Sequence, residues 1–261
     1  MRKHPAPTIR EVSATAIVDG VSTEITENVV ADGEFLIKID GRTAARLTCL
    51  PDQLDLLGWG FLAGGGWIGS RDDVMSFRRK GNIVSVELKN KLDSEMASVL
   101  SSCGKEVVFK PAHPGKTGIT PPGEAVKTLF SSGNIKAIMN RFQKNDSLHA
   151  RTGATHSAGL GCGGELLFSI PDVGRHNAVQ KVLGKIFIEG IETSDKMLFT
   201  TGRVSSEMVS SCAELFIPVV VSKSAPMASS LDRAREMGVT VIGFVRGSRM
   251  TCFTFPERIR P

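Results

Sequence analysis

The sequence predicts an α+β protein of two domains: a smaller, mostly β N-terminal domain and a C-terminal α/β domain with helices layered on a mixed sheet. Three observations carry this. Short alternating runs joined by glycine turns fill residues 11–109. From residue 166 onward the chain repeats apolar strand, loop and helix. Between these regions, residues 110–123 hold four prolines and three glycines, the composition of a linker or long loop. The expected division is therefore a loose N-terminus at 1–10, a β-rich domain at 11–109, a linker at 110–123 and an α/β domain at 124–261.

Residues 1–10 are charged and lack periodicity. Residues 11–19 and 21–28 read as strands on either side of Gly20. Residues 34–40 alternate, with Phe35, Ile37 and Ile39 on one face, and Asp40-Gly41 is a hairpin turn into a partner strand at 42–49. Pro51 opens a helix with Leu54, Leu57 and Phe61 on one face. Gly64-Gly65-Gly66 ends it; the lysine and hydroxyl spacing of a nucleotide loop is missing, so the run reads as a terminator. Asp72 and Asp73 read as first-turn residues of a short helical turn, 82–88 as an alternating strand and 107–109 as a short one.

In the second half, 124–142 reads as a helix broken at 131–133. Residues 166–170 form a buried strand that Pro171 ends. A helix follows, with Ala178, Val179, Val182, Leu183, Ile186 and Phe187 inward and Gln180, Lys181 and Lys185 outward. Strands at 196–199, 217–221 and 239–245 alternate with helices at 205–215 and from Pro226 to a Gly238 cap, and 250–255 is an edge strand or tail.

The chain has 261 residues and a formal net charge of +5, mild and spread out. That suits an acidic small ligand or an acidic protein patch and leaves nucleic acid open. No run reaches the length of a membrane span, so a soluble cytoplasmic protein is expected. Five scattered cysteines without a C-x-x-C pair speak against a disulfide framework and a thiolate zinc site. Cys49 and Cys212 sit on apolar faces and Cys252 in an alternating tail, where packing is expected. Cys162, in a glycine turn, reads either as a structural or as a resolving thiol. Cys103 lies between serines and Gly104, with Lys105 beside it; an accessible, cation-lowered thiolate and a plain turn cysteine are equally open readings.

Two regions attract attention as a site. His156, Asp172, Arg175 and His176 cluster at strand ends and at a helix start, where backbone N–H groups favour an anion. For any one of them a structural role is equally open, such as an Asp172–Arg175 pair that pins the loop. Three later strand–helix junctions supply Arg203, then Lys223, then the segment Phe244, Val245, Arg246, Gly247, Ser248 and Arg249. Together they would form one basic pocket at a sheet edge.

Thr152-Gly153-Ala154-Thr155-His156-Ser157-Ala158 and Pro171-Asp172-Val173-Gly174-Arg175-His176-Asn177-Ala178 resemble the T-G-G-x-H-x-A and E-D-V-G-R-H-N-A segments of the formate dehydrogenase accessory protein (FdhD) family. Residues 60–68, Gly202-Arg203 and Cys103-Gly104-Lys105 are similar to further motifs of that family. Gly65, Ala154 and Pro171 depart from its pattern, and one cysteine stands where the family has C-G-x-C-G-K. The resemblance implies a C-terminal domain like the cytidine deaminase fold, without the deaminase zinc signature. It implies a sulfur carrier that takes a persulfide onto Cys103 from a cysteine desulfurase. The carrier would pass sulfur to the bis-guanine-dinucleotide molybdenum or tungsten cofactor of a formate dehydrogenase. It assigns the 244–249 segment to that cofactor, bound as substrate and mimicked by GDP, with no metal held by the protein itself. A homodimer, with neither nucleic acid nor membrane as partner, is implied as well. The alternatives are a cofactor-binding chaperone of the same family that no longer moves sulfur, and a hydrolase or deaminase using His156, Asp172 and His176.

Overall fold

The computed structural model describes residues 8–90, 97–100, 106–110 and 128–261. Strands β1 (Ile9–Val18) and β2 (Val21–Val30) pair antiparallel along their full length and form a ribbon of their own. β3 (Gly33–Ile39) and β4 (Arg42–Cys49) form the hairpin that Asp40-Gly41 predicts. Both turn residues have positive φ, 49° and 80°, the twist a tight hairpin needs. Helix α1 (Leu54–Gly64) follows. β5 (Val74–Lys80), β6 (Ile83–Leu88), β7 (Ala97–Leu100) and β8 (Glu106–Lys110) complete a six-stranded sheet of order β5-β6-β3-β4-β8-β7. The sequence pattern does not announce β5: its Arg78, Arg79 and Lys80 are consecutive and exposed, as an edge strand permits.

The C-terminal part is mixed α/β. It begins with β9 (Phe130–Ser131), α2 (Ser132–Lys144) and α3 (Ser147–Thr152), then β10 (His156–Cys162), β11 (Glu165–Asp172) and α4 (Arg175–Glu189). β12 (Met197–Thr200), α5 (Ser206–Glu214), β13 (Val219–Ser222), α6 (Ala228–Met237), β14 (Thr240–Arg246), β15 (Arg249–Cys252) and β16 (Ile259–Arg260) complete it. The main sheet has the order β11-β10-β12-β13-β14-β15, with β12, β13 and β14 parallel and the outer strands antiparallel. The central strands are apolar throughout because both faces are covered. Met197, Phe199, Val219, Val221 and Ile242 pack with Ile135, Ile138 and Phe142 of α2. The alternate residues Leu198, Val220 and Val241 pack on the opposite side with Val182 of α4 and Val209 of α5.

Three expectations are corrected. Of the helix expected over 124–142 with a break at 131–133, residues 124–127 lie outside the described residues, Phe130 and Ser131 pair in parallel with β16, and the helix runs from Ser132 to Lys144. Pro171 does not end its strand: β11 runs on to Asp172, and as an edge strand it tolerates a missing donor. Lys181 does not face solvent but is fully buried, held by Asp172. Of the linker expected over 110–123, Lys110 is the last residue of β8 and the remainder lies outside the described residues.

The mostly β part packs on the α/β part through α1 and α4. A Cβ on Gly60 would stand 1.7 Å from the Gln180 carbonyl oxygen, and one on Gly184 would stand 1.9 Å from that of Leu56. Only two glycines allow the helix backbones this approach. Trp59 of α1 stacks between Phe77 of β5 (4.5 Å) and Phe187 of α4 (5.8 Å). Among the described residues, no helix is long and apolar enough to cross a membrane.

Candidate functional site

The carboxyl ends of β12, β13 and β14 share one edge of the main sheet with the start of β10 and the end of β11. The loops there are tied to one another. Lys223 N donates to Thr200 O, Val204 N to Ala225 O and Phe244 N to Ser224 O. Ser222 Oγ donates to Gly202 O (2.7 Å) and accepts from Ser224 N (2.9 Å). The three junctions that carry Arg203, Lys223 and Arg246 are thus one hydrogen-bonded unit at the end of parallel strands, where open α/β sheets bind ligands.

His156 Nδ1 lies 3.3 Å from Thr201 Oγ1, which also accepts from Ser157 N. Burial holds His156 below the usual histidine range, and the Arg175 and His149 charges act the same way. His156 therefore stays neutral near pH 7. His176 Nε2 meets Ser205 Oγ at 2.8 Å, and Glu207 stands 3.5 Å away. Ser205 is also the N-cap of α5, accepting from Met208 N. Arg175 runs along Gly202, where a Cβ would come within 2.7 Å of its own. Its Nε is buried and has no hydrogen-bond partner among the described residues, an orphan donor at the loop cluster.

Asp172 lies beneath this surface. It is fully buried, 2.7 Å from Lys181 Nζ, and accepts from Leu50 N, Gly174 N and Asn177 Nδ2. Lys181 also donates to Leu50 O and Asn177 to Thr48 O. Asp172 thus pairs with Lys181, nine residues on, and clamps the β4–α1 junction to the start of α4. Its role in the structure is to fix the turn that presents Arg175 and His176.

Arg203 is exposed and forms no ion pair with a described residue. Arg246 Nε donates to Lys223 O at 3.2 Å, and the Arg249 guanidinium lies 5.9 Å from the Phe244 ring centre. Phe244 has a φ of 54° at the irregularity between β14 and β15, which turns its ring against Phe253. Val245 points into the core, while Gly247, with φ 56°, and Ser248 form the exposed turn. The sequence reading missed Thr201 and Ser222, which lock the loops. The signal was present as hydroxyl residues at the carboxyl ends of β12 and β13, Thr200-Thr201 and Ser222.

Cys103 and Lys105 lie outside the described residues, in the connection between β7 and β8. Among the described cysteines, Cys49 and Cys212 are buried. Cys162 Sγ meets Asp195 Oδ2 at 3.2 Å, and burial together with that carboxylate pushes its thiol up. The thiol stays protonated, which makes it a poor nucleophile. Cys252 donates to Thr254 O. Among the described residues, no group of three or more His, Cys, Asp or Glu is placed to hold a metal ion.

Fold and site define a two-part α+β protein with an electropositive loop cluster at the carboxyl edge of its mixed sheet. The model of the FdhD/NarQ family matches residues 30–260, and the chain belongs to that family. It is 33% identical over 255 residues to the sulfur carrier protein FdhD of Bacillus pumilus, covering 92% of this chain and 94% of the relative. Its identity to the same-named protein of Methanothermobacter thermautotrophicus is 32% over 257 residues, covering 96% and 98%. The crystal structure described as a formate dehydrogenase accessory protein from Desulfotalea psychrophila superposes with a TM-score of 0.78 at 27% identity, covering 97% of this chain and all of that one.

Proposed function

We propose that this protein is a sulfur carrier for formate dehydrogenase maturation and that its strand-end loops hold a guanine-dinucleotide pterin cofactor as the substrate of sulfur transfer. The observation that carries the binding half is the set of three interlocked loops bearing Arg203, Lys223 and Arg246, with the orphan Arg175 Nε beside them. Guanidinium groups and helix starts recognise phosphates, and Phe244 with Arg249 offers a stacking face for a base. His156, held neutral, and His176 add imidazole nitrogens without competing for a metal that arrives with the cofactor.

Cys103 is the sulfur-carrying residue in this reading. Its thiolate attacks the outer sulfur of a desulfurase persulfide; that S–S bond breaks, the desulfurase thiolate leaves, and a new S–S bond forms on Cys103. The mixed sheet and its layers support the likeness to the cytidine deaminase scaffold, used here for binding. Partners in this reading are a cysteine desulfurase, the dehydrogenase catalytic subunit and a second copy of the chain, in the cytoplasm.

GDP tests the binding half. Calorimetry should show saturable binding that weakens with salt, and Arg203→Ala should weaken it by about tenfold or more, the usual loss for a charge-assisted hydrogen bond. The absence of GDP binding at millimolar ligand would overturn this assignment.

A further inference from the structure

Helices α4 and α5 begin at the loop cluster and end at the opposite side of the domain, where they border a cleft of about 580 Å³. Three helix C-termini meet there. Ala63 near the end of α1, Gly190 just past α4, and Glu214, the last residue of α5, all line it. Each helix end carries partial negative charge on carbonyls that its own helix leaves free. The Glu214 carboxylate adds a full charge. It is half-buried, makes no hydrogen bond or ion pair with a described residue, and lies close to Gly66, where a Cβ would be 3.5 Å from its Cδ. Burial pushes its carboxyl up. Arg233, the cation that opposes this, is itself engaged by Ser210 and Glu236. At the rim, Arg71 lies over Trp59 and Glu192 is satisfied by Thr193 N and Ser194 N. Ser70, Thr193 and Ser194 add small polar groups to the lining, and Ile68, Ile186 and Ile191 with Phe187 supply an apolar wall.

A negative end and an apolar wall in one cleft call for a cation with a greasy body. We propose that this cleft binds a ligand joining an amine or guanidinium to an apolar group, with the cation beside Glu214 and the body against Ile68, Ile186 and Ile191. The volume is that of an ordinary small-ligand site. The same chemistry has two sources: a free organic amine, or a lysine or arginine side chain offered by a partner polypeptide. The gain comes from pairing a carboxylate that folding leaves half-desolvated and without a hydrogen bond or ion pair among the described residues.

The test is calorimetric titration of the whole chain with n-hexylamine, with n-hexanol as its neutral counterpart, and with a blocked Leu-Arg-Leu peptide. Hexylamine should bind saturably, and hexanol about tenfold more weakly or less still. Glu214→Gln should remove the preference for the amine while leaving GDP binding at the opposite edge unchanged. Ile191→Trp, which fills the cleft without touching the charge, should abolish binding of both hexyl compounds. A peptide that binds better than hexylamine assigns the site to a partner side chain; the reverse order assigns it to a free amine. Equal affinity for amine and alcohol, no saturable binding of the amine or the peptide, or an amine preference that survives Glu214→Gln would overturn the proposal.

Discussion

Adding a single methyl group at Gly60 is expected to lower stability by about 3 kcal/mol or more, at the top of the range for an overpacked core. The new Cβ would lie 1.7 Å from the Gln180 carbonyl oxygen, and the obstacle is backbone, so no rotamer change relieves it. The helices α1 and α4 must separate, which opens the contact between the mostly β part and the α/β part and disturbs the Trp59–Phe187 stack. Gly184→Ala should behave alike, since its Cβ would meet Leu56 O at 1.9 Å. Urea unfolding followed by tryptophan fluorescence checks both. Gly33→Ala is the control: nothing lies within 4 Å of a Cβ there, and its effect should stay within about 0.5 kcal/mol.

Lys181→Met should cost about 3–5 kcal/mol, because it leaves the Asp172 carboxylate buried without its counter-charge. The double variant Asp172→Asn with Lys181→Met removes both charges and keeps an acceptor oxygen for Gly174 N and Asn177 Nδ2, while its NH2 replaces the oxygen that Leu50 N donates to, so it should recover part of the loss. A double variant no more stable than Lys181→Met alone would show that the damage is to packing rather than to charge. The pair also sits directly under Arg175 and His176, so GDP affinity should fall in the single variant and return in the double one.

These two features show where the sequence could and could not be read. The alternation at Phe35, Ile37 and Ile39 and the Asp40-Gly41 turn placed the β3–β4 hairpin, because a two-residue turn and period-two burial are local properties. The apolar strands at 197–200, 219–222 and 240–246 were legible for another local reason: a strand covered on both faces reads as a continuous apolar run. Lys181 was not. Its helical position puts it beside Gln180 and Lys185, and only Asp172 together with Leu50, more than a hundred residues away, explains its burial. The Gly60–Gly184 contact is equally silent, since neither glycine lies in a turn. Gly65, a departure from the family pattern, has a local cause: a Cβ there would come 2.7 Å from the Trp67 ring and from Phe61 O. At the site, the Asp172–His176 motif stood out by composition, but which of its members faces outward depended on the fold. Asp172 turned inward to Lys181, whereas Arg175 and His176 joined the loops of β12.

The most direct test of the sulfur-carrier reading is the mass of the chain after incubation with a cysteine desulfurase, L-cysteine and pyridoxal phosphate, with small thiols then removed. The account predicts a gain of one sulfur atom on the peptide holding Cys103, reversed by reductant and absent in Cys103→Ala. Cys162, whose thiol is held protonated beside Asp195, should remain unlabelled. Sulfur found only on Cys162, or no sulfur while a two-cysteine relative loads under the same conditions, would contradict it and leave a cofactor-binding chaperone that supplies no sulfur.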